Sequence, residues 1–238
     1  MSINSVLKNI NEIEEAFKKI KENGLYLPVD KVKSWDQWRS FDFITSQSQK
    51  DARILEVGSW KSRILPSLYF SGYRNLYSCD LCGIEWRMVV VPFLKKRNYA
   101  DLLRSIFGFG PIRQSQQDLL KTNYPDLFFD YILSLSVIEH GIDLEKYCCQ
   151  MHRLLKPGGY LITSCDYWTD EVDTTGKEAF GFKWRIFNRQ DIESLIITAG
   201  NYGLEIIEPL DFSCPEPVLE WQGKRYTFIF FIMRKVRN

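Results

Sequence analysis

Four places in this chain set polar, proton-handling side chains directly after short strand-like runs. "RILEV" leads through Glu56 and Val57 to Gly58, Ser59 and Trp60, and "NLYSCD" ends in Asp80, followed by Leu81. "IRQSQ" is followed by Gln117, Asp118 and Leu119, and "FDYILSL" ends at Leu135 and runs into Ser136, Val137, Ile138, Glu139 and His140. A fifth run, "YLITSC", leads to Asp166, Tyr167 and Trp168. A carboxylate accepts from two donors at once, so Asp80 suits the paired hydroxyls of a ribose, in NAD or any other adenosine cofactor. Histidine is the side chain best fitted to accept a hydroxyl proton near neutral pH, and His140 stands just past the end of an apolar run. The simpler reading of His140 is a helix-start residue bonded to backbone, and of Asp166 a turn aspartate. Either way, the chemistry depends on elements that bring these ends together.

From Arg53 onward the pattern alternates. Strand Ile54 to Val57, a helix after Lys61, strand "NLYSCD", a helical region through "YADLLRSIF" and strand "IRQSQ" come first, then strand "FDYILSL", helix "LEKYCCQMHRLL" and strand "YLITSC". Such alternation implies an α/β fold, a mostly parallel sheet covered by helices on both faces. In such a sheet ligands bind beyond the carboxyl ends of the strands, where the order reverses. A helix "RQDIESLIITAG" opens at Asn188 with Asp191 three residues on, a capping arrangement, and leads to strand "LEII". The stretch "EPLDFSCPEPVLEWQG" reads as a loop before a long last strand, "RYTFIFFIM". At the other end, Val6, Ile10, Ile13, Phe17 and Ile20 recur at alternating spacings of four and three, one face of a helix that Asn23-Gly24 stops. A second helical stretch, "WDQWRSFDFI", follows Pro28.

The chain has 238 residues, 45% hydrophobic and 15% aromatic, enough for a sizeable core. A net charge of +1 from 31 basic and 30 acidic residues gives no electrostatic reason to expect nucleic acid, so small molecules are the expected partners. No apolar run approaches the ~20 residues that cross a bilayer, and the polar start "MSINSVLKNINEIEEAF" is unlike a secretory signal. A cytoplasmic protein, monomer or homodimer, is the expectation. Its six cysteines are then reduced; Cys79 and Cys82 form a C-x-x-C without the second pair that a zinc site needs, and no metal is expected.

The run "DLLKTNYPDLFFDYILSLSVIEHGIDLEKYCCQMHRLLKPGGYLITS" resembles the central half of class I S-adenosylmethionine (SAM)-dependent methyltransferases, in particular the type 11 kind that act on small molecules and sugars. The "LLKPGG" turn together with the upstream "VIEH" carries the resemblance, which spans roughly residues 50 to 238. It implies a Rossmann-like, doubly wound sheet of seven strands, mostly parallel with an antiparallel last strand. Residues 49–238 would be the methyltransferase domain and residues 1–48 an N-terminal helical cap or lid. Carried onto this sequence, Glu56 and Gly58 belong to the SAM motif, Asp80 holds the ribose, Asp118 the adenine amino group and the backbone near Leu135 the methionine moiety. Ser59, Trp60, Leu81, Leu119 and Ser136 complete that cofactor site.

The family's first loop often reads E-x-G-x-G-x-G, so Trp60 and Ser62 depart from it while Gly58 is retained. SAM carries no phosphate for such a loop to cradle, and the shortage of glycine argues against NAD and a dehydrogenase. The implied activity is methyl transfer from SAM to a small molecule, leaving S-adenosylhomocysteine (SAH), with an oxygen of a sugar or cell-surface carbohydrate precursor favoured. His140 is then the candidate general base, with Asp166 or Glu139 fixing its ring. A loop over about residues 168–187 would select the acceptor through Tyr167, Trp168, Trp184 and Arg185. The alternatives are a catalytically inactive partner subunit with the same fold, or a methyltransferase for a phosphorylated or other non-sugar metabolite, to which Arg185, Lys183 and Lys177 would offer charge.

Overall fold

The computed structural model describes residues 2–60, 62–83, 93–94, 99–107 and 109–236 of the chain. In chain order the elements are β1 (Ser5–Val6), α1 (Ile10–Glu22), a 3-10 turn (Lys31–Lys33), α2 (Ser34–Gln47), β2 (Arg53–Val57), α3 (Ile64–Phe70), β3 (Asn75–Asp80) and α4 (Tyr99–Ile106). They continue with β4 (Ile112–Gln116), β5 (Phe129–Leu135), α5 (Leu144–Leu154), β6 (Leu155–Tyr167), a small hairpin of β7 (Glu178–Ala179) and β8 (Phe182–Lys183), and α6 (Arg189–Asn201). The chain closes with β9 (Leu204–Ile206), β10 (Leu219–Trp221) and β11 (Lys224–Lys235).

Five parallel strands in the order β4-β3-β2-β5-β6 are followed by antiparallel β11, on whose outer side β9 pairs. This is the seven-stranded, doubly wound arrangement, and the order reverses at β2. The strand ends flanking that reversal are where a ligand crevice forms. Successive residues of each strand face opposite layers. Ile54, Tyr131, Leu133, Ile162, Phe228 and Phe230 pack with α1, α2 and α3, while Leu55, Val57, Ile132, Leu161, Cys165 and Phe231 pack with α5 and α6.

Two short strands add to the sheet at β11. β10 forms where the sequence reads as loop, pairing Leu219 with Tyr226. β1 pairs Val6 with Ile229, so Val6 is a strand residue and not the first of the helical face. That helix starts only at Ile10, with the Asn9 side chain accepting from the N–H groups of Asn11 and Glu12, an N-cap that overrides the apolar spacing. Ile10 is accordingly 52% exposed, and the buried stripe is Ile13, Ala16 and Ile20. The N-terminal segment is stitched to the sheet: Asn4 Oδ1 accepts from Ile232 N at 2.9 Å, and Arg39 of α2 donates to Ile3 O and Ser5 Oγ.

Further departures concern strand lengths. "LKPGG" extends β6 backwards rather than forming a free turn, across a register shift opposite Phe129 and Tyr131. The preceding helix α5 ends against the buried Lys235, whose Nζ donates to His152 O at 2.8 Å and Leu155 O at 3.1 Å. α6 opens on the reciprocal cap between Asn188 and Asp191.

Candidate active site

At the first strand end, Gly58 has φ +63 and donates its N–H to Cys79 O at 2.9 Å, tying the end of β2 to β3. A Cβ there would lie 2.5 Å from Val137 Cγ2, so a glycine is needed both by the backbone and by the close approach of the loop after β5. Glu56 is buried, with Oε2 lacking a hydrogen-bond partner, and burial pushes its carboxyl up to about 8. Ser59 is buried and its carbonyl accepts from Ser62 N at 3.0 Å. Trp60, half-exposed, donates its backbone N–H to Asp80 Oδ2 at 3.0 Å. Asp80 Oδ1 accepts from Cys82 N at 2.7 Å, Leu81 beside it is exposed, and Asp80 O accepts from Gln117 N at 3.2 Å. Asp118 is exposed, with Oδ1 accepting from Leu120 N at 2.9 Å, and Leu119 is buried beneath it. The first three strand ends thus form one contiguous rim.

These residues fit SAM. The rim presents two carboxylates at its surface, each oxygen with more lone pairs than the backbone bonds use, next to the apolar faces of Leu81 and Trp60 for an adenosine. Glu56 adds a buried acceptor without a partner at the base of the same loop.

The other two strand ends are built differently. Ser136 adopts φ +55 after Leu135 and donates its N–H to Ser164 O at 2.9 Å, bringing the ends of β5 and β6 together. Lys33 Nζ, arriving from the 3-10 turn ahead of α2, donates to Ser136 Oγ and lies 3.9 Å from the centre of the Phe228 ring. Asp36 of α2, 1% exposed, accepts from Ser164 Oγ at 2.8 Å. Asp166, 6% exposed, accepts from Trp184 Nε1 at 2.7 Å. Glu139, 1% exposed, carries an Oε2 with no hydrogen-bond partner.

Electrostatics follow from this burial. Asp166 is pushed up to about 6 by burial, against the opposing pull of Lys33 and the Trp184 indole. Burial, reinforced by the charge of Asp166, raises Glu139 well above the usual carboxylate range, and burial likewise raises Asp36. His140 is pushed down to about 4, first by burial and then by the charge of Lys33, against the pull of a backbone hydrogen bond at Ser136. Its ring meets Phe180 edge-on at 5.7 Å, and Phe180 in turn meets Trp60 edge-on at 5.9 Å. The β7–β8 hairpin therefore bridges the two halves of the site.

The residues singled out around His140 separate. Asp166 is bonded to the Trp184 indole, and the charge that acts on His140 is Lys33 rather than a carboxylate partner. Tyr167 points to the opposite layer from Asp166, as the alternation of a strand requires, and packs in the core beside α6 with its ring 6.0 Å from Phe212. Trp168 packs partly buried on the Asp166 side of the sheet. Arg185 turns outward, bridging Asp191 at 2.5 Å and lying over the Phe187 ring. Lys33 and Asp36 are the groups that sequence reasoning passed over; the signal available was a lysine and an aspartate three residues apart at the start of an otherwise aromatic helix. Among the described residues no cluster of His, Cys, Asp and Glu has the geometry to hold a metal ion.

Residues 55–163 match the family described as a methyltransferase domain. Residues 55–163 thus carry a methyltransferase domain, in a fold similar to that of SAM-dependent methyltransferases. No curated protein matches the chain. Solved structures share the fold: geranyl diphosphate C-methyltransferase from Streptomyces coelicolor is 12% identical, with a TM-score of 0.59 over 94% of this chain and 98% of that one. The 1,6-didemethyltoxoflavin-N1-methyltransferase of Burkholderia thailandensis is 16% identical, with a TM-score of 0.55 over 95% and 88%. A SAM-dependent methyltransferase from Methanosarcina mazei, also 16% identical, gives 0.56 over 82% and 98%. At these identities the likeness concerns the methyltransferase fold alone. The methyltransferase domain here carries, ahead of its first central strand, the α1–α2 segment that delivers Lys33 and Asp36.

Proposed function

We propose that this methyltransferase transfers the methyl group of SAM to an oxygen of a small uncharged acceptor, with a hydroxyl of a sugar or carbohydrate precursor as the favoured target. The observation that carries the reading is His140 at the end of β5: an imidazole kept neutral by burial and by the ammonium of Lys33, against the pull of a backbone hydrogen bond at Ser136. Alkylation of a hydroxyl needs a group that takes its proton, and an uncharged imidazole with a free lone pair is such a group. When bound, the cofactor supplies an electrophilic methyl carbon on a sulfonium. Asp80 would hold its ribose, Asp118 its adenine amino group and the backbone near Leu135 and Ser136 its methionine end.

The chain's own residues then divide the remaining work. The imidazole of His140 takes the hydroxyl proton. Glu139, held as an acid by burial, is a donor to a second acceptor oxygen, and Asp166 stays fixed on the Trp184 indole as an acceptor. Residues 1–48 and the loop over about 168–187 wall the pocket, and Phe180 at the hairpin tip, 66% exposed, keeps water from the His140 ring. No helix among the described residues is long and apolar enough to cross a membrane.

The related folds act, by their names, on nitrogen and on carbon, so the acceptor atom decides the reading. The test is methyl transfer from methyl-labelled SAM to a panel of free and nucleotide-activated sugars, amines and phosphorylated metabolites, with the methylated atom located by NMR. Oxygen methylation of an uncharged hydroxyl supports the proposal; transfer confined to nitrogen or carbon overturns it. A protein that binds no SAH would instead be the non-catalytic partner subunit.

A further inference from the structure

The turn at the tip of the β7–β8 hairpin departs from what a tight turn asks of a sequence. Glu178 pairs with Lys183 and Ala179 with Phe182, which leaves Phe180 and Gly181 as a two-residue loop with φ +56 and +83. Both central residues of such a turn need left-handed backbone, and Asn-Gly is its usual filling. Gly181 meets that need without cost; Phe180 meets it only under strain. Packing does not account for an aromatic side chain there either, since Phe180 is 66% exposed and a Cβ built at Gly181 would meet nothing within 4 Å. What the Phe180 ring touches is the candidate site. Its centre lies 5.9 Å from that of Trp60, after β2, and 5.7 Å from that of His140, after β5, edge-on in both cases. A residue that breaks a local rule and reaches across a site is where a functional reason is to be sought.

Stem and tip of the hairpin are held differently. At the stem Ala179 is buried, Glu178 O accepts from Gln222 Nε2 at 2.8 Å, and Trp184 N donates to Lys177 O at 3.1 Å. The Trp184 indole is bonded to Asp166 and packs edge-on against Trp221 and Tyr226, and Arg185 N donates to Glu139 O at 2.9 Å. The tip rests on Trp60 and His140 through ring edges, which part without breaking a hydrogen bond. β7 and β8 form a two-stranded sheet separate from the central one, so the tip can move without disturbing the central ladder. Its exposure also places it. A ring that plugged the crevice between the ends of β2 and β5 would be enclosed by it, whereas one with two-thirds of its surface open lies across the mouth.

We propose that Phe180 is the latch of a lid: the β7–β8 hairpin closes the mouth of the cofactor crevice by resting the Phe180 ring on Trp60 and His140, and ligands enter and leave when that ring lifts off. The proposal rests on the methyltransferase reading for the identity of the ligand, SAM or SAH, while the cover over His140 stands without it. A firmly anchored stem with a weakly held tip is the construction that lets a short segment gate ligand exchange while the rest of the fold stays in place.

Phe180→Asn removes the ring and gives the turn the residue its backbone prefers, so the hairpin is kept, and Phe180→Tyr retains the ring. In stopped-flow tryptophan fluorescence with SAH, Phe180→Asn is expected to raise the association and dissociation rates together, each by about 10-fold, the scale of two lost aromatic edge contacts. Kd then stays within about threefold of the parent's, and Phe180→Tyr behaves like the parent. Unchanged rates overturn the proposal. So does faster dissociation alone, which would make Phe180 a contact of the ligand and not a latch. In the ligand-free protein, diethyl pyrocarbonate, which acylates neutral imidazole, reads access to His140 by peptide mass spectrometry, with His152, the chain's other histidine, as control. Phe180→Asn is expected to speed modification of His140 by about 10-fold and to leave His152 unchanged; equal rates at His140 in parent and variant overturn the lid. A parent that binds no SAH fails the methyltransferase reading, and the histidine measurement then still decides the lid.

Discussion

At the ends of β3 and β4 the acidic groups are held by backbone N–H groups only a few residues away or one strand over, such as Trp60 N and Cys82 N on Asp80. At the ends of β5 and β6 they are held by side chains that arrive from distant parts of the chain, as Ser164 Oγ on Asp36 and the Trp184 indole on Asp166. The first half is a rim that stays wet, and its carboxylates keep acceptor capacity for a ligand. The second is a buried cluster in which desolvation sets the protonation states of Glu139, Asp166 and His140. A binding surface can be made from local loops, whereas a proton-handling centre needs a dry environment assembled from several elements.

This contrast has consequences of different sizes. The largest belongs to the dry half: His140→Ala should lower kcat by about 10² to 10⁴ with an identified acceptor while SAH affinity changes no more than a few fold, since general-base help is typically of that order. Because burial and Lys33 hold the imidazole near 4, the acidic limb of the parental pH–rate profile belongs near pH 4 and not at the ordinary histidine value near 6.5. A limb at pH 6 to 7 would mean that the ring is wetter than the structure has it.

Next comes the seam between the halves. Gly58→Ala combines a left-handed backbone with a Cβ 2.5 Å from Val137, and should cost about 2 to 5 kcal/mol in chemical denaturation. Val137→Ala in the same chain should recover part of that loss; complete additivity would mean that the two residues do not touch. On the wet rim, Asp80→Ala should weaken SAH about 10- to 100-fold by calorimetry, the loss of charge-assisted bonds of roughly 1.5 to 3 kcal/mol. It also frees Trp60 N and Cys82 N, so a small drop in melting temperature accompanies it.

A last effect is on the pH dependence of stability. With its carboxyl raised to about 8, Glu56 keeps a proton in the fold that the unfolded chain releases near pH 4. The native state then binds more protons, so stability falls as pH rises from about 4 to about 8. Glu56→Gln should remove that slope, giving a melting temperature close to the parent's at pH 4 and a few degrees above it at pH 8 by calorimetric scanning of the ligand-free protein. An equal offset at both pH values would show that folding leaves the ionisation of Glu56 unshifted.

The same contrast explains what the sequence made legible. The parallel strands, the reversal at β2 and the reciprocal cap at Asn188 follow from apolar runs and local hydrogen bonding, which short stretches encode. So does the placement of Glu56, Gly58, Asp80 and Asp118 along one rim. Lys33 and Asp36 were not legible, because their meaning lies in Ser136 and Ser164, more than a hundred residues away in sequence. Tyr167 was misjudged for the reason that adjacent residues of a strand face opposite layers, so its neighbour Asp166 lies on the site side while it lies in the core. Arg185 looked like a free cation until the fold supplied Asp191.

The proposed function requires the wet rim to be an adenosine site built for a sulfonium cofactor and not for a dinucleotide. Isothermal calorimetry of the purified protein with SAH and with NAD tests it most directly. Micromolar binding of SAH, no measurable heat from NAD and loss of the SAH signal in Asp80→Ala are the predicted result; NAD binding in the same range with no response to SAH would contradict it.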